Sequence, residues 1–416
     1  MKNDWRKAIR TPVSYSLPSV TSNLVRQQKN FVSIVIFAGA FILSSLYFFS
    51  PTTNSKILDD DHGHHHTKSI MPNCACPTSL SSSFSYDKTY PLSQIETLSD
   101  GRLKYKIAAV ADLDQNSRIS PDSSKWGSYI MNGFLTFHPH SEQIEISWDN
   151  PQEALLTTDF SSGGRGAELS DLVVFDRRLF TCDDRTGIVY EIIDKMLLPW
   201  IILPNGNGKT SGKGFKCEWM TVKDGFMYIG GLGKEWTTPN GDKIINHDPQ
   251  FVKKISPAGV IEHLDWRLRY IELRRAAGIE VPGYLVHESS VWSEKNKRWY
   301  FLPRRASHEP YDDILDEKRG TNILLTADSD FTSVVLNGTL GPDNKTHGFS
   351  SVKLLPLPTE VLLKPSDSEI VVALKSVEDN GRISTFVTAF KIPEGKILLP
   401  ETQISATRKY EGIEFV

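Results

Sequence analysis

Cysteine is scarce in this 416-residue chain, with four residues, at positions 74, 76, 182 and 217. Two of them fall in a polar N-terminal stretch, so the folded part keeps only Cys182 and Cys217 and is no disulfide scaffold. Excess charge is also missing: 47 Lys and Arg against 50 Asp and Glu leave a formal net charge of −3. That balance calls for no nucleic-acid partner. No G-x-S-x-G elbow occurs, so a serine nucleophile is not indicated, and His287 and His347 are expected to help order strands. A Walker loop is missing too, although Pro204 to Trp219 reads PNGNGKTSGKGFKCEW. Its first glycine would have to stand at Leu203, and the frame ending in Gly212-Lys213 puts Gly214 where Ser or Thr must bind magnesium. The stretch reads instead as a surface hairpin tip leading into CEWMTVKDGFMYIGG, two strands around a Lys-Asp-Gly turn. DLDQN from Asp112 opens like an EF-hand but has Ser117 for the glycine at position six and Ser123 for the glutamate at position twelve.

Charge is locally absent in one more place. Phe31 to Phe49, FVSIVIFAGAFILSSLYFF, carries none and is long enough to cross a bilayer core as a helix. Lys2, Arg6, Lys7, Arg10, Arg26 and Lys29 precede it, and Asp59 to Asp61 follow. The positive-inside rule then predicts a cytoplasmic tail (1–30), a transmembrane anchor (31–49), a luminal stem (50–100) and a luminal domain (101–416). A cleaved signal peptide is the rival, but no small-residue cleavage pattern follows the apolar run. The stem is rich in Ser, Thr, Pro and Asp and is not expected to pack a core. Its His62, His64, His65 and His66 read as a zinc-binding tract or as solvated polar sequence, and Cys74 and Cys76 could link two stems. Asn337-Gly-Thr and Asn344-Lys-Thr are glycosylation sequons.

Beyond Leu103 the sequence is a succession of short alternating runs, among them KYKIAAVADLD, GIVYEII, RWYFLP and SEIVVALKS. Only Trp266 to Ala277 has convincing helical character. This predicts an all-β chain, too long for a single sandwich. Five places share a pattern: Ser170-Asp-Leu-Val-Val, Glu218-Trp-Met-Thr-Val, Glu288-Ser-Ser-Val-Trp, Ser350-Ser-Val-Lys-Leu and Glu411-Gly-Ile-Glu-Phe. An oxygen-bearing residue opens each strand-like run, at spacings of 48, 70, 62 and 61 residues, about one four-stranded blade each. Innermost strands of radially repeated blades converge on an axis, so these five residues would form a ring of oxygens suited to a hard cation such as Ca²⁺. Ordinary polar residues at strand starts are the alternative.

With these residues in view, the chain resembles the calcium-activated nucleotidase family of apyrases. The matching segments include IAAVADLD (107–114), RGAELSDLVVF (165–175), KGFKCEWMTVKD (213–224), YIGGLGKEWTT (228–238), RWYFLPRRASHE (298–309) and LLPETQISATRKYEGIEFV (398–416). The similarity runs from about Lys104 to the C-terminus. It implies a five-bladed β-propeller with a central calcium site, preceded by the single transmembrane helix and stem, that hydrolyses nucleoside di- and triphosphates. The family's calcium positions fall on Ser170, Glu218, Glu288, Ser350 and Glu411.

Phosphoanhydride hydrolysis needs neutralised phosphate charge and an oriented water. Arg165, Lys213, Lys216, Arg304 and Lys375 are the candidate phosphate clamps, with Arg304 and its neighbour Arg305 favoured because guanidinium forks suit phosphate. Asp114 or Asp112 is the expected base, with Asp171 a further candidate; Asp183 and Asp184 are expected to build a hairpin turn. Expected partners are the nucleotides, the membrane through the anchor, and a second copy of the chain in a homodimer. The anchor favours clearance of UDP and GDP in the Golgi or endoplasmic reticulum over extracellular ATP and ADP hydrolysis. A luminal propeller that binds without catalysis is the competing class.

Overall fold

Four two-residue turns set the sheet architecture. Asp176-Arg177, Asp194-Lys195, Asp224-Gly225 and Asn380-Gly381 each hold positive φ at both positions, between 47° and 80°. Each closes a hairpin, with Phe175 opposite Arg178, Ile193 opposite Met196, Lys223 opposite Phe226 and Asp379 opposite Arg382. Such turns carry the twist of the strands they join, and Asp, Asn and Gly tolerate the left-handed backbone best. The turn expected at Lys223-Asp-Gly is therefore present.

The computed structural model describes residues 86–209, 211–361 and 366–416. The tail, the anchor and the stem up to residue 85, with the histidine cluster, Cys74 and Cys76, lie outside them. Among the described residues no helix is long and apolar enough to cross a membrane. The one α-helix among them, Arg267–Ala276, falls where the sequence has helical character.

Twenty of the 25 described strands fall into five antiparallel groups of four. The first runs Lys409–Phe415, Leu103–Asp112, Trp126–His138, Gln143–Thr158. The second runs Leu169–Phe175, Arg178–Asp183, Ile188–Ile193, Met196–Ile202, and touches the first through one parallel pair, Thr157 with Met196. Trp219–Lys223, Phe226–Gly230, Phe251–Ile255 and Ile261–Asp265 make the third. Ser290–Ser293, Arg298–Phe301, Ile323–Asp328 and Val334–Thr339 make the fourth, and His347–Leu354, Glu369–Asp379, Arg382–Ile392 and Lys396–Ser405 the fifth. The C-terminal strand joins the N-terminal group, Ile413 opposite Ala109.

Five apolar clusters lie between successive groups. Val110 and Ile130 meet Leu172 and Tyr190; Phe175 and Phe180 meet Met220 and Met227. Trp219 meets Trp292 and Trp299, Tyr300 meets Phe349 and Val371, and Leu374 and Val387 meet Leu135 and Tyr105. The cycle closes from group one back to group one, an arrangement consistent with a β-propeller. The tryptophan cluster includes the helix residues Tyr270 and Leu273, and Trp266 sits edge-on to Trp299 at 5.2 Å. Burying a side chain of that size stabilises by about 1.5–3 kcal/mol, which explains why the helix that follows the last strand of the third group stays packed on the sheets.

The inner strands are also pinned by one buried carboxylate. Asp171 Oδ1 accepts from Leu172 N–H and Ser351 Oγ, both at 2.8 Å; Oδ2 accepts from Met220 N–H at 2.8 Å and Lys353 Nζ at 3.0 Å. Ser351 Oγ in turn takes the Ile413 N–H at 3.3 Å. One side chain thus ties the second, third, fifth and first groups together. Residues 86–97, polar in sequence, lie against the far ends of these strands. Asp87 N–H donates to Asp176 at 2.9 Å, Tyr90 Oη to Glu414 at 2.8 Å, and the Tyr86 ring sits 5.4 Å from Phe175.

Candidate functional site

Ser170, Ser350 and Glu411 each occupy a break in strand register. Pairing steps from Leu169 to Asp171, from Phe349 to Ser351 and from Gly412 to Tyr410, passing over the residue between. A bulge of this kind re-aims the unpaired side chain, and here it recurs at the same place in three inner strands. Glu218 immediately precedes its inner strand, and its N–H donates to Gly230 O at 2.8 Å; Glu288 stands two residues before its own. All five side chains are buried.

The carboxylates among them are close enough to feel one another. Arg304 Nη1 bridges Glu288 and Glu411 Oε1, the latter at 2.9 Å, while Nη2 reaches Glu378 at 2.9 Å. Desolvation pushes the Glu218 pKa up to about 8, with Glu288 and Asp184 adding to the rise and Lys216 opposing it. Glu411 is also driven upward by desolvation, and by Asp112 and Glu288. Ser350 Oγ lies 3.4 Å from the carbonyl of Tyr410, beside Glu411. Ser170 Oγ has no hydrogen-bond partner, and Glu218 Oε1, 2.9 Å from Lys216 Nζ, makes no well-aligned hydrogen bond. A buried polar atom without a partner, such as Ser170 Oγ, costs about 1–3 kcal/mol. Unsatisfied oxygens beside three carboxylates at strand entries fit a hard cation that takes six to eight oxygens.

A second acidic group adjoins the first. Asp112, Asp114 and Glu168 place one oxygen each within 4.8 Å of the others. Lys409 Nζ joins the two groups, at 2.7 Å from Asp112, 2.9 Å from Asp114, 3.2 Å from Glu378 and 3.6 Å from Glu411. Arg165 grips Glu168 with two nitrogens and lies 3.8 Å from Asp114. Burial, with Asp184 and Asp112, pushes Glu168 up to about 8. Asp114 is shifted upward by desolvation and by Asp112, against the pull of Lys409. Its side chain remains 42% exposed, whereas that of Asp112 is 3% exposed. Asp114 is therefore the carboxylate of the cluster that solvent or substrate can reach.

The other expected site residues separate clearly. Lys216 pairs with Asp184 and Glu218 at the edge of the ring. Lys213 stands exposed on the 205–213 loop, which confirms a surface tip there, and no side-chain contact joins it to the acidic groups. Lys375 is buried on Glu401, over the Phe349 ring at 4.5 Å, and Glu401 also holds His347 at 2.7 Å. Arg305, next to Arg304, is buried with Nη1 unpartnered and reaches Asp316 at 3.7 Å. Asp171 has all its carboxylate positions filled by the inner strands. Asp183 receives the N–H groups of Ala167, Arg185 and Thr186 and so builds its turn, while Asp184 turns to Lys216. Asn337 and Asn344 are exposed; Asn337 Oδ1 accepts from Thr326 at 2.7 Å and Asn344 Oδ1 from Thr346 at 3.0 Å.

Glu168, Glu378 and Lys409 were not singled out by the sequence. A signal exists for two of them: Glu168 and Lys409, like Lys216, stand two residues before a ring position. At the corresponding position in the fifth group is Gly348, where an added Cβ would come within 2.4 Å of Arg304 Cγ. Glycine is required there for Arg304 to pass.

The architecture and site define an all-β protein with a dense buried acid–base centre where its inner strands begin. A family model for apyrases matches residues 113–416. The chain is 47% identical over 333 residues to soluble calcium-activated nucleotidase 1 of Mus musculus, covering 80% of this chain and 78% of that one. It is 40% identical over 325 residues to apyrase apy-1 of Caenorhabditis elegans (78% and 88% covered) and 40% over 315 residues to an apyrase of Cimex lectularius (76% and 83%). This chain belongs to the apyrase family.

Proposed function

We propose that the protein is a calcium-dependent hydrolase that releases phosphate from nucleoside di- and triphosphates. The observation that carries this reading is the five oxygen-bearing side chains near the starts of the inner strands, with Ser170 Oγ left without a hydrogen-bond partner and Glu218 Oε1 with only its ion pair to Lys216. Membership of the apyrase family and the names of the relatives support it. The five groups of strands are then five blades around one axis, and Ser170, Glu218, Glu288, Ser350 and Glu411 hold Ca²⁺ there. Bound at that ring, Ca²⁺ supplies Lewis-acid neutralisation of phosphate oxygens.

The chain's own residues supply the rest. Arg165 and Lys409 flank the exposed edge of Asp114, so a polyphosphate entering there meets two cations already held in place by carboxylates. Arg304 is saturated by three glutamates and serves to hold Glu288 and Glu411 in register. Asp114, with its raised pKa and open side, orients the attacking water and takes its proton as the terminal phosphorus–oxygen bond breaks. The products are inorganic phosphate and the nucleotide shortened by one phosphate. Lys409, shared by Asp112 and Asp114, steadies the charge on both carboxylates as the proton moves.

The charge-free run at 31–49 between a basic leader and an acidic stem supports a type II anchor with the catalytic domain in the Golgi or endoplasmic reticulum lumen. There UDP and GDP would be the preferred substrates, and Asn337 and Asn344 would be open to glycosylation. Phosphate release by the full chain from UDP, GDP, ADP and ATP, with calcium or with magnesium, tests the whole reading. Calcium should activate and magnesium should not replace it, since magnesium demands a tight octahedral site. Equal rates in magnesium with calcium chelated would refute the ring.

A further inference from the structure

Cys182 and Cys217 form a disulfide, with Cα atoms 6.5 Å apart and a separation of 35 positions in sequence. Both are fully buried. Their neighbours give the bond a place in the site. Cys182 lies on the strand Arg178–Asp183, opposite Asp171, and Asp183 lies opposite Leu169. The residue passed over between those two pairs is Ser170, so Cys182 sits directly behind the bulge that turns Ser170 inward. Cys217 immediately precedes Glu218, and its N–H donates to Phe215 O at 3.0 Å. The disulfide thus joins the backbone supports of two adjacent ring residues, Ser170, whose Oγ has no hydrogen-bond partner, and Glu218, whose Oε1 has only the ion pair with Lys216. The same two segments are linked a second time by charge, since Lys216 binds both Asp184 and Glu218. The approach to Glu218 is also held by Phe215, which is fully buried and donates its N–H to Leu203 O at 2.8 Å.

From this geometry we infer that the Cys182–Cys217 disulfide is a positioning device for the cation ring, fixing Ser170 and Glu218 relative to each other before the metal arrives. This rests on the calcium reading of the ring given above. A ligand pair held in place loses less freedom on binding, so the disulfide should appear as affinity for the ion and not only as stability of the fold. A bond of purely structural effect would act chiefly on the unfolded chain and would leave affinity for the ion alone.

The test compares full-length wild type with Cys182→Ala/Cys217→Ala, both stripped with chelator. Calcium is titrated by calorimetry, and melting is followed with and without the ion. Peptide mapping after blocking of free thiols first establishes the bond in wild type; finding both thiols free overturns the inference. The expected result is a calcium Kd raised about tenfold, the low end for loss of an outer support of a metal site, and a smaller calcium-induced rise in Tm. An unchanged Kd, with Tm lowered equally in calcium and in chelator, overturns the inference and leaves the ring intact. Absence of any calcium-induced rise in wild type removes the ring itself and the inference with it. If the double variant does not fold, folded wild type treated with a phosphine reductant takes its place: weakened calcium binding upholds the proposal and an unchanged Kd refutes it.

Discussion

Two layers of buried charge lie one residue apart along the same inner strands, and they are built in opposite ways. In the ring, Ser170 Oγ has no partner, Glu218 Oε1 has no aligned bond, and Arg304 and Lys409 are each shared among several acids. One step along, Asp171 accepts four hydrogen bonds from three strands and is satisfied completely. Burial is equally deep in both layers, so burial does not tell them apart. Saturation does. A carboxylate whose acceptor positions are all used by its own fold has nothing left for a ligand, whereas one left short in a low-dielectric site is poised to take an ion or a proton.

The largest effect should come from breaking the saturated layer. Asp171→Ala leaves Lys353 buried without its counter-charge and removes the tie among four groups of strands. Loss of one partner of a buried pair costs about 3–5 kcal/mol. Chemical denaturation should show that loss equally with calcium and with chelator. A variant of wild-type stability would move Asp171 out of the structural layer and back among the candidate bases.

Next in size is the carboxylate proposed as the base, on the unsaturated side. Asp114→Asn keeps the shape and hydrogen-bonding reach of the side chain but cannot take a proton. Turnover of UDP should fall by about 10²-fold or more, near 2.7 kcal/mol in barrier. The calcium-induced rise in Tm should be kept, because Asp114 is not one of the five ring oxygens. Normal hydrolysis by Asp114→Asn would send the search for the base to Asp112.

Glu218→Gln probes the ring with a smaller expected cost. One charged ligand becomes a neutral one, the other four remain, and calcium affinity should fall by about tenfold, or 1.4 kcal/mol. Excess calcium should restore much of the activity, and the calcium-induced rise in Tm should shrink. An unaltered calcium titration would exclude Glu218 from the ring.

The two layers were not equally readable from the sequence. Ring positions stand out because each lies near the start of an inner strand of one repeat, and five copies of Ser or Glu at similar spacing make a pattern. Their bulges were invisible, since a register break depends on the partner strand and not on the residue passed over. Asp171 was misleading for the same reason. It stands beside Ser170, and only Met220, Ser351 and Lys353, far away in sequence, reveal its structural role. Arg304 was readable as a cation near phosphate, but its three glutamates come from positions 288, 378 and 411, separations no local pattern carries. The 86–97 segment looked like stem because its composition is polar, and its polar groups in fact complete the ends of the inner strands.

That segment supplies the smallest effect and the finest test of the comparison. Glu414, near the end of its inner strand, accepts from Tyr90 Oη and Phe415 N–H at 2.8 Å and from Val174 N–H at 3.2 Å. Burial nonetheless pushes its pKa up to about 7, with these bonds and Lys353 opposing the rise. Because the folded value lies above the unfolded one, the folded state holds its proton more tightly. The stabilising contribution is complete below the unfolded pKa of about 4.3 and is lost as pH rises through 7. Tyr90→Phe removes a bond that is stronger to the carboxylate than to the neutral acid. Its cost should therefore grow from well under 1 kcal/mol near pH 5 to about 1 kcal/mol near pH 8. Denaturation midpoints across that range, referred to wild type at each pH, give the slope directly. A cost that does not vary with pH would mean that Glu414 keeps one protonation state throughout, and that it belongs with the saturated Asp171 and not between the two layers.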